Sequence, residues 1–314
     1  MPINTLETAT LFQTTLDRVA QQTALTGWME ANAGQVIYNG GAEVKIPKMS
    51  LQGLGDYDRD SGYTQGTVTL EYETRKMTQD RGRLFQLDAM DVNETNFIAT
   101  ASAVMGEFQR MHVVPEIDAY RLSAIATEAI KLDNKGSKGM VEYEYSPKEA
   151  DVLRKIKTGI KKIRDAGYNG DLVIHATSDV TLELEMALAG KITSVTFSQG
   201  GIDTTVPAVD KVPVIETPQN RMYTAITLKD GKTDGQKDGG YVKGTSALEV
   251  NFMIIPRIAP IAISKQDLMR IFTPENYQKA NAWATDYRRF HDLWLKDNSI
   301  PLVYVNIKDA KASS

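Results

Sequence analysis

The sequence of 314 residues contains no cysteine. That absence excludes disulfides, thiolate zinc sites, iron–sulfur clusters and a cysteine nucleophile. Histidine is nearly as scarce, with His112, His175 and His291 the only three. A metal or acid–base apparatus built on imidazole therefore has little to draw on. Neither sign of charge dominates: 36 basic and 40 acidic residues leave a net charge of -4. This is not the balance of a dedicated DNA-binding domain, although it is compatible with a local basic face. Long apolar runs are also missing. The most apolar stretch, Val250 to Ile263, is broken by Asn251, Pro256, Arg257 and Pro260 and falls short of the ~18 apolar residues of a membrane-spanning helix. No basic residue precedes Arg18 and no continuous apolar core follows the start. The expectation is a protein with no signal peptide, made in a cytoplasm.

What is present suffices for a sizeable core, since 42% of residues are hydrophobic, which argues against global disorder. Between Leu6 and Met29 a thin stripe (Leu11, Leu16, Val19, Ala20, Leu25) has roughly helical spacing. It reads equally as an arm that packs on a neighbour or as an ordinary first helix. Ala42 to Pro47 alternates like a strand, and Leu51 to Gly66 is a Gly-, Asp- and Tyr-rich loop. From Thr67 to Thr74, Val68, Leu70 and Tyr72 share one face while Thr69, Glu71 and Glu73 share the other. Asp80-Arg81-Gly82 carries a turn signal and Arg83 to Asp88 is a second short run. These segments predict a long hairpin with Glu71 and Glu73 on one arm and Arg81 and Arg83 near the other. With so little apolar surface it should project rather than lie in the core.

Asp91 and Glu94 have capping-box spacing. Phe97, Ala101, Val104, Phe108, Met111, Pro115, Asp118, Leu122, Ile125, Ala129 and Leu132 follow in steps of four and three. A helix from Glu94 to Ile130 would be ~55 Å long. Pro115 removes a backbone donor and should kink it near Met111. Asp118 falls in phase with the apolar stripe: either it has a buried partner, or the kink rotates it outward. Asp133 to Gly139 is linker-like. Ser146-Pro147-Lys148-Glu149 predicts the start of another helix. Its buried face would be Val152, Ile156, Ile160 and Ile163, its exterior Arg154, Lys155, Lys157, Lys161, Lys162 and Arg164, and its stop Gly167. A strand at Leu172 to His175 and a helix from Thr177 or Ser178 through Met186 complete an α/β alternation. Short strands continue to Pro256, Asp230 to Lys243 reads as a mobile loop, and Ile300 to Ile307 reads as a strand.

Chemical motifs fail on inspection. Gly231-Lys232-Thr233 lacks the earlier glycine of a phosphate loop, because Ile226 stands there. Asp56, Asp58 and Asp60 match the first ligands of a calcium loop, but Ser61 and Thr67 occupy the positions that need Gly and Glu. No nucleophile elbow, zinc-protease helix or dinucleotide fingerprint occurs. The sequence thus offers no catalytic residue, cofactor or metal site. A projecting arm, a projecting hairpin, a very long helix and a separate α/β lobe suit an assembling protein better than an enzyme.

The ordered set VKIPKMSLQGLGDYDRDSGYTQGTVTLEYE, DRGRLFQLDAMDVNETN, VVPEIDAYR and WATDYRRFHDLWLK resembles major capsid proteins of tailed bacteriophages over nearly the whole chain. The resemblance implies an α+β, Hong Kong ninety-seven-type capsid fold. Its parts would be an N-terminal arm (1–45), an extended hairpin loop and its base (46–92), a peripheral domain with the spine helix (93–145), an α/β axial domain (146–255), and a return to the peripheral domain (256–314). The return implies a short helix after Thr273-Pro274, then a strand from about Tyr287. It further implies self-assembly as pentamers and hexamers into an icosahedral shell around double-stranded DNA, held by non-specific contact. The virion capsid would be the destination and the bacterial cytoplasm the place of assembly. A separate scaffolding protein without N-terminal cleavage, a portal and a decoration protein are the expected partners; a membrane is not. Glu71, Glu73, Arg81 and Arg83 are candidate inter-subunit contacts, Pro115 the spine kink, and Lys155, Lys161, Lys162 and Arg164 a candidate inward basic face. Two alternatives stay open: a bacterial nanocompartment shell that encloses enzymes, and an α/β enzyme or binding protein.

Overall fold

The seven residues Val250–Pro256 form a strand, β12, in which every side chain is buried. A strand buried on both faces must be covered on both, which is why apolar residues fill successive positions from Phe252 to Ile255 rather than alternating. The structure, a computed structural model, describes residues 24–38, 41, 43–60, 62–88, 104–136, 140–188, 193–199 and 202–311. Among these, β12 lies inside a seven-stranded sheet of order β5-β15-β12-β6-β9-β8-β7. The other strands are β5 (Val141–Glu142), β6 (Leu172–Ala176), β7 (Thr193–Gln199), β8 (Ile202–Val209), β9 (Val212–Glu216) and β15 (Tyr304–Ile307).

Phe252 and Ile254 face helices α2 (Val152–Asp165) and α3 (Ser178–Leu188), meeting Ile156, Ile160, Ile163, Val180 and Leu184. Met253 and Ile255 face the other way, toward helix α1 (Val114–Asn134) and its Leu122, Ile125 and Ala129. Trp28 and Met29 complete that second core. They belong to a 3-10 segment, Gly27–Gln35, so this part of the expected arm is embedded in the body. Residues 1–23 lie outside the described residues, as do residues 94–103 of the expected spine helix.

The chain is helical from 104, passes through a π-turn at Gln109–Val113 and continues as α1. The π-turn lies just ahead of Pro115. Proline offers no N–H to the carbonyl one turn back, and the wider π-turn, with Val114 N–H bonded to the Gln109 carbonyl, absorbs the defect. The helix runs to Asn134 rather than Ile130 and stops at Gly136, whose φ is +101°.

Several expectations change. Helix α2 begins at Val152, after Asp151, and not at the Ser146 box. No helix follows Thr273-Pro274, and β14 (Ala282–Leu295) starts earlier than Tyr287. The hairpin is the main correction. Strand β3 (Val68–Lys76) does not pair with β4 (Gln79–Asp88). It pairs with β2 (Glu43–Leu51), in a sheet with β1 (Ile37–Tyr38). Strand β4 instead joins β14, which also pairs with β13 (Pro260–Phe272). Asp80-Arg81-Gly82 is therefore inside a strand. A Cβ on Gly82 would lie 2.8 Å from the Tyr287 carbonyl oxygen, so the glycine serves close strand approach rather than a turn.

Candidate assembly interface

The projecting element is the β2–β3 hairpin with its loop 52–67. Its base is anchored by Val44 and Ile46, which are buried with Met77, Ile261 and Ile263. Beyond the base the hairpin is exposed on both faces. The register pairs Pro47 with Tyr72, Met49 with Leu70 and Leu51 with Val68. Strand alternation places these six side chains on one face. Met49 is 55% exposed, Leu51 64%, Val68 65% and Leu70 51%. An apolar face this continuous and this open is what monomeric proteins avoid unless it meets something. The opposite face carries Lys48, Ser50, Thr69 and Glu71.

The charges singled out from sequence do not meet across a hairpin. Glu71 is exposed opposite Lys48, and Glu73 pairs with Arg75 at 2.6 Å. Arg81 and Arg83 hold a different region. Arg81 Nε and a terminal nitrogen donate to the two oxygens of Glu116 on α1, at 2.7 and 3.0 Å. The remaining donors of Arg81 reach the carbonyls of Lys229 and Gly240, and Arg83 donates twice, at 3.1 Å, to the carbonyl of Lys237. The Gly-rich segment read as mobile is thereby fastened. It connects β10 (Ile226–Leu228) to β11 (Tyr241–Lys243), and Asp230 accepts from the N–H groups of Lys232 and Thr233. Together β4, the π-turn and this loop enclose a cavity of ≈ 420 Å³.

Asp118 does have its partners. It is fully buried and accepts from Leu25 N–H, Thr26 N–H and the Thr26 hydroxyl at 3.1, 3.1 and 2.6 Å. Arg221 completes the set at 2.9 Å. One turn on, buried Arg121 donates to the Thr26 carbonyl and to Glu30. Glu30 also meets Arg289, which reaches Asp267. Burial raises the Glu30 carboxyl pKa, but Arg121 and Arg289 outweigh it and hold the group below its ordinary value. This chain of charges ties the 24–35 segment to α1 and to β13 and β14.

The basic helix is largely committed within the subunit. Lys155 and Lys162 converge on Glu142 at 3.1 and 2.8 Å. Burial pushes the Glu142 carboxyl up, but the hydrogen-bonded ammonium groups of Lys162 and Lys155 bring it down to about 2. Arg164 closes the end of α2 through the carbonyls of Tyr168 and Gly170. Lys161 pairs with Asp165 and, of the four, alone lines an outer groove, with Arg154 and Lys157. Arg154 and Lys157 belong to the basic exterior already read from the sequence, and their i, i+3, i+7 spacing with Lys161 puts the three on one face.

The histidines do not assemble a reactive site. Trp28 Nε1 donates to His175 Nε2 at 3.2 Å, which leaves the ring proton on Nδ1, 3.1 Å from the Thr217 hydroxyl. Burial drives the His175 pKa down to about 3. His112 lies on the exposed side of the π-turn beside Phe108. His291 is buried, and its burial, with Arg289, Arg121 and Arg81 nearby, holds its pKa well below the ordinary value. Among the described residues no group of three acidic, histidine or cysteine side chains could hold a metal ion, and no helix is long and apolar enough to cross a membrane.

No protein-family model matches the sequence, and no curated protein sequence matches it. Solved structures do. The mature capsid of bacteriophage PhiM1 aligns over 86% of this chain and 83% of its own, at 10% identity and a TM-score of 0.53. The capsid structure of cyanophage P-SCSP1u aligns over 87% of this chain and 85% of its own, at 8% identity and a TM-score of 0.53. That of Staphylococcus phage Andhra covers 86% and 81%, at 10% identity and a TM-score of 0.50. At such low identity the likeness is one of fold, and it extends over more than four fifths of the chain: the chain has the fold of these phage capsid structures.

Proposed function

We propose that this protein is the major capsid protein of a tailed phage, a structural subunit that self-assembles into a closed shell. The observation that carries the reading is the open apolar face of the β2–β3 hairpin on a chain with a phage capsid fold. Pro47, Met49, Leu51, Val68, Leu70 and Tyr72 gain nothing for the isolated subunit. Laid on a neighbouring copy they lose water, at roughly 25 cal/mol per Å² of apolar surface. Each such contact is modest. Repeated by closed symmetry in pentamers and hexamers, many act together.

In the same reading the shell encloses double-stranded DNA, is built in the host cytoplasm with a scaffolding protein and a portal, and accepts a decoration protein outside. Exposed Glu71 is placed to influence register between copies, a role that charge serves better than raw affinity. With Lys155, Lys162 and Arg164 committed to partners that are partly buried, contact with packaged DNA falls to the exposed Arg154, Lys157 and Lys161, the last two also paired with Asp210 and Asp165 at the surface.

Electron microscopy of the protein, expressed alone and with its genomic neighbours, tests this. The expected result is closed particles of megadalton mass that hold double-stranded DNA when the full gene set is present. Particles filled with an enzyme would replace the reading with a nanocompartment shell. A small discrete oligomer under every condition would end it.

A further inference from the structure

The turn that follows α2 carries an exposed Asn-Gly pair, Asn169-Gly170. We infer that Asn169 is a modification site, converted without an enzyme to aspartate and isoaspartate by the backbone nitrogen of Gly170. This goes beyond the assembly role and does not depend on it.

The chemistry sets three requirements. The backbone nitrogen after the asparagine is the nucleophile, so its N–H must be free of a hydrogen bond. The side-chain amide must be free to turn toward it. The second residue must not block the approach, which glycine satisfies because it has no side chain. In the first step the Gly170 nitrogen bonds to Cγ of Asn169 and gives up its proton. The Cγ–Nδ2 bond breaks, ammonia leaves with that proton, and a five-membered imide remains. One water then opens the ring at either carbonyl. One opening gives aspartate; the other gives isoaspartate, whose main chain runs through the former side chain. Nothing is oxidised or reduced.

The structure singles out Asn169. Among the described residues six asparagines are exposed: Asn134, Asn169, Asn220, Asn276, Asn281 and Asn298. In five of them the next amide is occupied. The N–H of Lys135 donates to the Leu132 carbonyl, that of Arg221 to Pro218 and that of Tyr277 to Thr273, each at 3.0 Å. The N–H of Ala282 donates to Ala280 at 2.9 Å, and that of Ser299 to Lys296 at 2.8 Å. The Gly170 N–H has no hydrogen-bond partner among the described residues, and neither has the Asn169 side chain. Asn32, Asn251 and Asn306 are buried.

The surroundings favour the reaction. Arg164 donates to the carbonyls of Tyr168 and Gly170 at 3.0 and 2.7 Å. Its positive charge therefore lies beside the nitrogen that must lose a proton, where it stabilises the developing anion. Glycine is also the residue the turn requires, since a Cβ at 170 would lie 2.5 Å from the Tyr168 hydroxyl. Conversion adds a carboxylate to a turn that already holds Asp165 and Asp171. Isoaspartate further lengthens the main chain between the two carbonyls that Arg164 fastens.

The test compares the full chain, folded and in urea, during incubation in mildly alkaline buffer, which favours loss of the amide proton. Residues 165–191 form one tryptic peptide in which Asn169 is the only side-chain amide. Its mass shift from amide to acid therefore reports this site alone, and an isoaspartyl methyltransferase labels the isomer. Folding should slow conversion at Asn298 at least tenfold, because the next amide is tied, and at Asn169 less than threefold. In Asn169→Gln the mass shift should fall at least tenfold. If folding protects Asn169 as strongly as Asn298, or the wild-type peptide keeps its mass, or the variant converts as fast as wild type, the assignment is wrong.

Discussion

Strands β12 and β3 both carry apolar side chains, yet every residue of β12 is buried and only Glu73 of β3 is even partly covered. The difference is in what the chain provides to pack on each. Helices α1, α2 and α3 come from both sides to cover β12. Among the described residues nothing comes to cover Val68, Leu70 and Tyr72. One strand therefore stabilises the fold, and the other leaves its apolar surface open, which is the surface we propose for association. The exposed strand is also guarded. Strand β3 lies at the edge of its sheet, and Glu71, Glu73, Arg75 and Lys76 along it disfavour indiscriminate strand pairing.

The comparison is broken most severely from the buried side. Asp118→Ala would strand Arg221 and two backbone N–H groups that now share its carboxylate. Removing one member of a buried charged cluster costs about 3–5 kcal/mol. Urea unfolding of the unassembled subunit should show that loss, and hydrogen exchange should show the 24–35 segment released. A wild-type midpoint would mean the hub contributes nothing to the fold.

A smaller effect, again confined to the body, comes from pH. His175 is neutral when folded, with burial holding its pKa down to about 3, against 6.5 ordinarily. Between those values the unfolded chain binds the proton and the folded chain does not. The stability His175 supports is therefore complete above pH 6.5 and declines as pH falls toward 3. At pH 4.5 its share of the loss is about 2–3 kcal/mol. Denaturation series should show this fall, and His175→Gln should flatten the profile between pH 4.5 and 6.5. An unchanged slope in the variant would remove His175 from the account.

Much of the body was legible in the sequence because it obeys local rules. The Ile-spaced face of α2 follows from periodicity, and the π-turn ahead of Pro115 accords with a missing donor. Asp118 was half legible. Its phase on the stripe announced a problem, but the solution came from Thr26 and Arg221, far away in sequence. The hairpin was less legible. Its alternation was plain, but the partner of β4 is β14, some two hundred residues later, and Gly82 in Asp-Arg-Gly imitates a turn. Local signals cannot distinguish a glycine that turns the chain from one that lets another backbone approach. The Gly-rich 230–243 loop misled for a related reason: its order comes from Arg81 and Arg83, which no local pattern reveals.

The comparison between the two strands turns on one variant, Met49→Ser/Leu70→Ser, which removes paired apolar side chains from the open hairpin face. Its unassembled subunit should unfold within about 0.5 kcal/mol of wild type, as surface substitutions do. Sedimentation and electron microscopy of the same preparation should find shells reduced at least tenfold. A subunit destabilised by several kcal/mol, or shells formed in full yield, would contradict the assignment of this face to assembly.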